Sequence, residues 1–367
     1  MIVENEAQIV EAVRGAVSPF AIVAGGTRGA ATGADILDVS RLGGIVNYEP
    51  EELILTVQPG TSLVEIESVL AAKGQRLGFE PQDWSAMLGT AGTATIGGAI
   101  SCNANGPARV RYGAARDHLL GIRAVNGLGE AFKAGGRVVK NVTGFDIPKL
   151  VCGAYGTLCV LTELTFRVFP KPPCAVVLAR RDVDPHEGFA LLRKVWSSPL
   201  DATALVYARG SAYVRLEGEK GPLAEKRAVL DDLVEVEGIT PGFEPGSLDI
   251  RRVHVRPSEA AAIAAEIAAP HWYGDWAGAL LWTAGGKPAG QPLLGAGTRS
   301  RLDQAVKAAF DPRGLFDTGR NAVPQVTMAA LEAATQPASV SERKDSSTPA
   351  DAVALGGRVK PGHGEGG

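Results

Sequence analysis

Two glycine-rich stretches carry the residue types best suited to chemistry. The first, AGGTRGA at residues 24–30, directly follows a short apolar run. Main-chain N–H groups at Gly25, Gly26, Thr27 and Gly29 can form a nest for an anion, with the Thr27 hydroxyl as a further donor, and pyrophosphate is the natural guest. Ordinary turn chemistry is the bland alternative for a Gly-Gly-Thr step. The second stretch, TIGGAISCNANG at 95–106, sets Gly97, Gly98 and Gly106 around Ser101, Asn103 and Asn105. Glycines this dense let a backbone approach something closely, and the polar side chains between them suit a flat ring and its polyol chain. An irregular connection capped by Asn and Ser is the alternative there. Two such loops in one chain favour a bulky cofactor.

Other constellations are less specific. No G-x-x-x-x-G-K-[ST] occurs, and no G-x-G-x-x-G opens a helix with an acid about 20 residues later, so neither a P-loop nor a Rossmann site is expected. Arg109, Arg111, Arg116 and Asp117 cluster beside Gly106 and Tyr112. One of these arginines can hold an anionic substrate bidentately, or Arg116 can brace its loop against Asp117. His254, in RRVHVRP, alternates with apolar residues on a strand pattern and either faces a site or faces solvent. No C-x-x-C pair exists among Cys102, Cys152, Cys159 and Cys174, so no metal site is expected and any iron–sulfur cluster belongs to a partner.

These residues need elements to position them. Ile9, Val10 and Val13 recur on one side of a helix over the first ~20 residues, which Pro19 stops. FAIVAGG reads as a buried strand entering the first loop; ILDVS, GIVNYE and LILTVQPG read as further strands. TSLVEIESVLAAKGQ reads as a helix begun by Thr61 or Ser62 and ended by Gly74. After Pro173 the texture changes to amphipathic helices in GFALLRKVWSS, LAEKRAVLDDLVEV and SEAAAIAAEIAA, alternating with strand-like ALVYARG, AYVRLEG and ALLWTAG. Residues 326–367 are rich in Pro, Ser, Gly and charge, and disorder is expected there. The 367 residues, 45% apolar, suffice for two domains. A net charge of −3 gives no field for nucleic acid or an anionic membrane surface. Glutamates at positions 4, 6 and 11, and no run of ~18 apolar residues, argue against export or membrane insertion; a cytoplasmic location is expected.

The ordered motifs carry a family resemblance. AGGTRGA, then VQPGT from Val57, GTAGTATIGGA from Gly89, RYGAARD from Arg111, VKNVTGFD from Val139 and GAYGTLCVLTE from Gly153 resemble the vanillyl-alcohol oxidase, or PCMH-type, FAD-binding superfamily. Within it, the block from Gly106 to Glu163 is most similar to the FAD-binding subunit of bacterial glycolate oxidase. FDPRGLFDTGRN from Phe310 resembles the closing segment of the family. The resemblance implies an α+β fold: a PCMH-type FAD-binding domain of two α+β subdomains over 1–172, and an α+β cap domain over 173–325. The cap's C-terminal segment would return to the FAD domain, and the tail would follow. It further implies that Gly25, Gly26, Thr27, Arg28 and Gly29 hold the pyrophosphate and that Pro81 sits near the ring. Ile96, Gly97, Gly98, Ser101, Asn103, Asn105 and Gly106 would run along the flavin, and Val160 would contact its adenine or ribitol side. The first loop lacks the histidine that tethers FAD in some relatives, so the cofactor is expected to be non-covalent. Lys140, next to Asn141, either favours negative charge on the reduced ring or is solvated.

Oxidising a small 2-hydroxy acid needs a hydride acceptor, a cation for the carboxylate and a base for the hydroxyl proton. A base is hard to find: of five histidines only His254 is placed to face a ring, and the histidine-rich and E-H-G-x-G motifs of the family's catalytic subunits are absent. Lys140, His254 and Arg116 are the weak catalytic candidates. The expectation is an FAD subunit of a glycolate oxidase complex working with a second flavin subunit and an iron–sulfur subunit. A stand-alone FAD oxidoreductase acting on another small 2-hydroxy acid or alcohol, and a non-catalytic FAD-binding subunit, are the alternatives.

Overall fold

Local sequence chemistry sets the ends of the first elements. Asn5 caps helix α1 (Glu6–Gly15) by accepting from the Gln8 N–H, and Ile9 and Val13 are its buried stripe. The helix ends at Gly15 rather than at Pro19, because Ala16 already turns to extended backbone. Ser62, not Thr61, caps the helix Leu63–Ala71 by accepting from the Glu65 N–H at 3.1 Å. Thr61 instead turns its hydroxyl to the Gln58 carbonyl.

In chain order, α1 is followed by β1 (Phe20–Val23), β2 (Asp35–Asp38), β3 (Ile45–Glu49), β4 (Ile54–Val57), α2 (Leu63–Ala71), β5 (Gln75–Arg76), α3 (Ser85–Leu88) and α4 (Ile96–Ser101). Then come α5 (Arg109–Tyr112), α6 (Ala115–His118), β6 (Leu119–Val125), β7 (Ala131–Gly135), α7 (Ile147–Val151), β8 (Val160–Arg167) and β9 (Phe169–Pro170). The second half holds β10 (Cys174–Arg180), α8 (Pro185–Trp196), β11 (Ala204–Ala208), β12 (Ser211–Gly218), α9 (Lys220–Ala228), β13 (Val234–Val236), β14 (Ile250–His254) and α10 (Ala260–Glu266). It closes with β15 (Trp272–Asp275), β16 (Leu280–Ala284), β17 (Gln291–Pro292) and α11 (Arg301–Phe310). This computed structural model describes residues 1–28, 35–136, 146–239, 250–267, 272–284, 291–292 and 301–316. The expected disorder of 326–367 concerns residues outside that set.

Four sheets form among the described residues, the smallest of them besides β1-β2 being the antiparallel pair β5-β9. β1 and β2 pair in parallel, and β3-β4-β8-β6-β7 form an antiparallel sheet. The second half contributes an antiparallel sheet in the order β13-β10-β12-β11-β15-β16-β14-β17. The expected helix LAEKRAVLDDLVEV is only half helix: it stops at Ala228, and Val234–Val236 adds an edge strand beside Val177 to Ala179. Strand pairing there overrides the helical pattern of the sequence.

Alternation across the large sheet decides what faces what. Leu205, Val214, Leu216, Val253 and Leu281 point to a core roofed by Phe189 and Leu192 of α8 and Ala260 and Ala264 of α10. On the other face Val206, Ala208, Tyr273, Leu280 and Trp282 join one core with Phe79, Trp84, Ile96 and Phe166 of the first half. Register pairing puts Arg252 beside Trp282 and His254 beside Leu280, on that second face. Burying aromatic and aliphatic side chains of this size contributes on the order of 1.5–3 kcal/mol each. The sheet is therefore held hard against the first half.

The last described segment returns to that half. The Gly127 N–H donates to the Phe310 carbonyl and the Phe20 N–H to the Leu315 carbonyl, both at 2.8 Å. Lys307 Nζ reaches the Thr157 and Phe316 carbonyls at 2.8 and 3.1 Å and pairs with the buried Asp311 carboxylate. That carboxylate also accepts from the Leu315 and Phe316 N–H groups.

Candidate functional site

The end of β1 delivers Gly25 to Arg28 onto the wall of a cleft. α4, whose Thr95 cap accepts from the Gly98 N–H, delivers Gly97, Gly98 and Ser101 to the same cleft. Tyr155 and Gly156 close a third side, with Cys102, Cys159 and Leu161 beneath. The cleft encloses about 860 Å3 of empty space, solvent at its mouth included.

Several of these glycines serve the protein's own backbone. A Cβ on Gly25 would lie 1.7 Å from the Thr93 carbonyl oxygen, and one on Gly97 within 3.0 Å of three Pro59 atoms. Each of these glycines lets two stretches of the protein's own backbone pass at van der Waals distance, which a larger residue would prevent. Gly98 differs: its nearest neighbours are side-chain atoms of Thr95 and Arg28, from 3.3 Å outward.

Arg28 is the charged feature of the cleft. It is 7% exposed, its Cζ lies 4.2 Å from the Trp84 ring centroid and Nη2 donates to the Gln82 carbonyl at 2.8 Å. Nε and Nη1 are buried without a partner among the described residues. Burial presses its pKa below the usual guanidinium range. A cation held in this condition fits an anionic guest that completes its hydrogen bonds. The pyrophosphate of FAD meets that requirement, so the residues present fit the group.

The large sheet reaches the cleft residues through Tyr155. Arg252 Nη2 donates to the Tyr155 hydroxyl at 2.7 Å, and its Cζ sits 5.8 Å from the centroid of the same Trp84 ring. Trp84 meets Trp282 edge-on at 6.2 Å, and Tyr273 stacks on Trp282 at 5.7 Å. Arg109 lies 4.2 Å from the Trp276 ring centroid, whose Nε1 donates to the Gly106 carbonyl at 3.2 Å. Desolvation of the imidazole on its Trp276 side, then the charges of Arg252 and Arg109, lowers the His254 pKa although the residue as a whole is exposed. Asp275, fully buried, accepts from the Trp276 N–H at 2.8 Å, while its second oxygen lacks a partner among the described residues. Burial raises its pKa to about 7.

The sequence-predicted residues divide by position. Gly25, Gly26, Thr27, Arg28, Gly97, Gly98 and Ser101 meet in the cleft. Pro81 and Gly106 line a separate depression with Arg76 and Glu80. Asn105 turns inward, bonding the Asn103 carbonyl and the Ala115 N–H, and so fixes the loop from within. Ile96 and Val160 lie wholly in the core; the residues flanking Val160, Cys159 and Leu161, are the ones on the cleft. Arg116 is within 3.8 Å of Asp117, its bracing reading, and His118 is a core residue between Phe79 and Phe169. His254 is exposed at the end of β14. Gly29 and Lys140 lie outside the described residues. Trp84, Tyr155 and Arg252 were missed; β14 alternation marks Arg252 as readily as His254. Among the described residues no carboxylate or histidine lines the cleft, and no group of three metal-ligating side chains occurs. No described helix is long and apolar enough to cross a membrane.

Comparison with known proteins agrees with this geometry. Residues 1–135 match the FAD binding domain family. The chain is 34% identical over 321 residues to "Glycolate oxidase subunit GlcE" of Escherichia coli, covering 77% of this chain and 86% of that protein. It is 34% identical over 140 residues to "Glycolate oxidase subunit GlcD" of Bacillus subtilis, covering 38% of this chain and 28% of that protein. In fold it resembles solved alkyldihydroxyacetonephosphate synthase, with a TM-score of 0.61 at 14% identity over 86% of this chain and 75% of that one. The cofactor is FAD, and the chain belongs to the PCMH-type family of FAD-dependent oxidoreductases that contains the glycolate oxidase subunit GlcE.

Proposed function

We propose that this chain is the FAD-binding subunit of a glycolate-oxidising complex, holding its flavin non-covalently while a second flavin subunit performs most of the substrate chemistry. An iron–sulfur partner receives the electrons, and the assembly works on the cytoplasmic side. The observation that carries this reading is the likeness to GlcE along 86% of that protein. The cleft supports the division of labour, since no carboxylate or histidine lines it among the described residues.

FAD, when bound, supplies a two-electron acceptor. The chain's part is to hold it. Arg28 would meet the pyrophosphate with its two free donors, and the Gly25–Thr27 backbone would follow the phosphates. Trp84 keeps the Arg28 guanidinium flat and dry from one side. Gly98 leaves room beside Arg28, and Tyr155 walls the cleft toward the large sheet.

Anaerobic addition of glycolate to the purified holo-chain tests the reading. The expected outcome is an unbleached flavin band alone and bleaching once partner subunits are added. Rapid bleaching of the isolated chain would show a self-sufficient dehydrogenase instead.

A further inference from the structure

Three arginines gather where the large sheet meets the cleft residues, more than one pyrophosphate needs. Arg28 and Arg252 lie against one Trp84 ring, Arg109 against Trp276, and His254 sits near that same Trp276 at 6.3 Å. Burial first, and the Arg252 charge as a smaller contribution, lower the pKa of Arg28, of Arg109 and of His254. No salt bridge to Arg28, Arg252 or Arg109 is formed among the described residues, and Arg252 Nε is buried without a partner there. Asp83 beside Arg28, and Asp117 and Asp275 beside Arg109, offset part of this repulsion without ion-pairing to these arginines, and a bound anion would offset more.

The Arg252–Tyr155 pair has a more specific shape. Arg252 donates to the Tyr155 oxygen, which leaves the phenol hydrogen with no acceptor among the described residues. Tyr155 holds this place in a left-handed backbone conformation, φ 53°, braced by its N–H on the Ser101 carbonyl at 2.7 Å. Such strain persists only where the surroundings enforce it. The pair thus offers a cation and, beside it, a neutral O–H donor.

We propose that Arg252 and Tyr155 form a second anion subsite, separate from the pyrophosphate position at Arg28, that takes a small carboxylic acid bearing an oxygen on C2. Arg252 meets the carboxylate and the Tyr155 hydroxyl donates to the C2 oxygen. This rests on the flavin-subunit reading and deepens it, because it makes this chain's own sheet, and not only its partners, recognise the substrate class. Burial, which raises the Tyr155 pKa, keeps the phenol protonated for that donation.

Calorimetric titration of the FAD-loaded chain tests it, with pyruvate, the isosteric propionate and neutral propionamide as probes. The expected order is pyruvate tighter than propionate, with propionamide not bound. Arg252→Met should weaken both acids about tenfold or more at unchanged flavin content, the scale of one charge-assisted hydrogen bond. Tyr155→Phe should leave propionate unchanged and erase the pyruvate advantage. A wild-type chain that holds FAD but binds neither acid overturns the subsite. So does an Arg252→Met protein that binds both acids normally, or one that loses FAD, since Arg252 would then serve the cofactor. A wild-type chain that takes up no FAD overturns the flavin-subunit reading instead, and the subsite with it.

Discussion

Arg28 sits in a position that costs the empty protein and serves the loaded one. Its charge is desolvated and only Nη2 is bonded. Replacing it by methionine keeps the contact with Trp84 and removes a buried unpaired charge. Apo-R28M should melt no lower than apo-wild type while its FAD dissociation constant rises about tenfold or more, read by flavin fluorescence titration. Asp275 gives a residue-scale prediction in pH. Its carboxyl is raised from 3.8 to about 7 in the folded chain, so below about pH 4 both states are protonated and its contribution is fully present. As pH rises toward 7 the unfolded chain releases that proton first, and stability falls by an amount on the order of a few kcal/mol. Melting temperature against pH should show this loss in wild type and a flatter curve in Asp275→Asn. At this scale the sequence was partly legible. Arg28 follows the first glycine turn and could be read from it. Trp84, Tyr155 and Arg252 come from three distant segments, and no local pattern states that a sheet folds them onto one another.

Elements explain why the glycines were half understood. Their density correctly implied close approach, but the neighbour of Gly25 and Gly97 is crossing backbone, at Thr93 and Pro59. Contacts between residues this far apart in the chain, Gly25 with Thr93 and Gly97 with Pro59, are invisible to spacing. The contrast between adjacent glycines is testable: Gly97→Ala must displace backbone and should lower the melting temperature by several degrees, whereas Gly98→Ala meets only side chains and should leave it nearly unchanged. Gly98→Ala should instead weaken FAD, because it crowds Arg28. Among the strands, alternation in ALVYARG, AYVRLEG and ALLWTAG was readable and held. The edge strand Val234–Val236 was not, since LAEKRAVLDDLVEV keeps a helical pattern and only pairing with Val177 to Ala179 decides otherwise.

On the scale of the whole molecule, the large sheet of the second half meets the first half through a shared apolar core and a chain of ion pairs. Arg76 binds Glu217 bidentately at 2.6 and 3.0 Å, and Arg215 bridges Glu217 to Glu80. Glu217 is 6% exposed at its side chain, so Glu217→Gln leaves two arginines partly buried and underpaired. Its expected cost is about 3 kcal/mol in chemical denaturation. The two halves therefore hold Arg28 and Arg252 against the one Trp84 ring as one unit. Family membership was legible in the order of the glycine motifs, while the facing of the halves depended on which side of β14 and β16 turned inward. In our reading this cleft holds FAD without a covalent bond, through Arg28. Acid denaturation of the purified holo-protein, followed by separation of flavin from polypeptide, tests this in wild type and Arg28→Met. Free FAD released in full from wild type, and little flavin recovered with Arg28→Met, is the predicted result. Flavin that stays with the denatured chain, or equal flavin content in the two proteins, would contradict it.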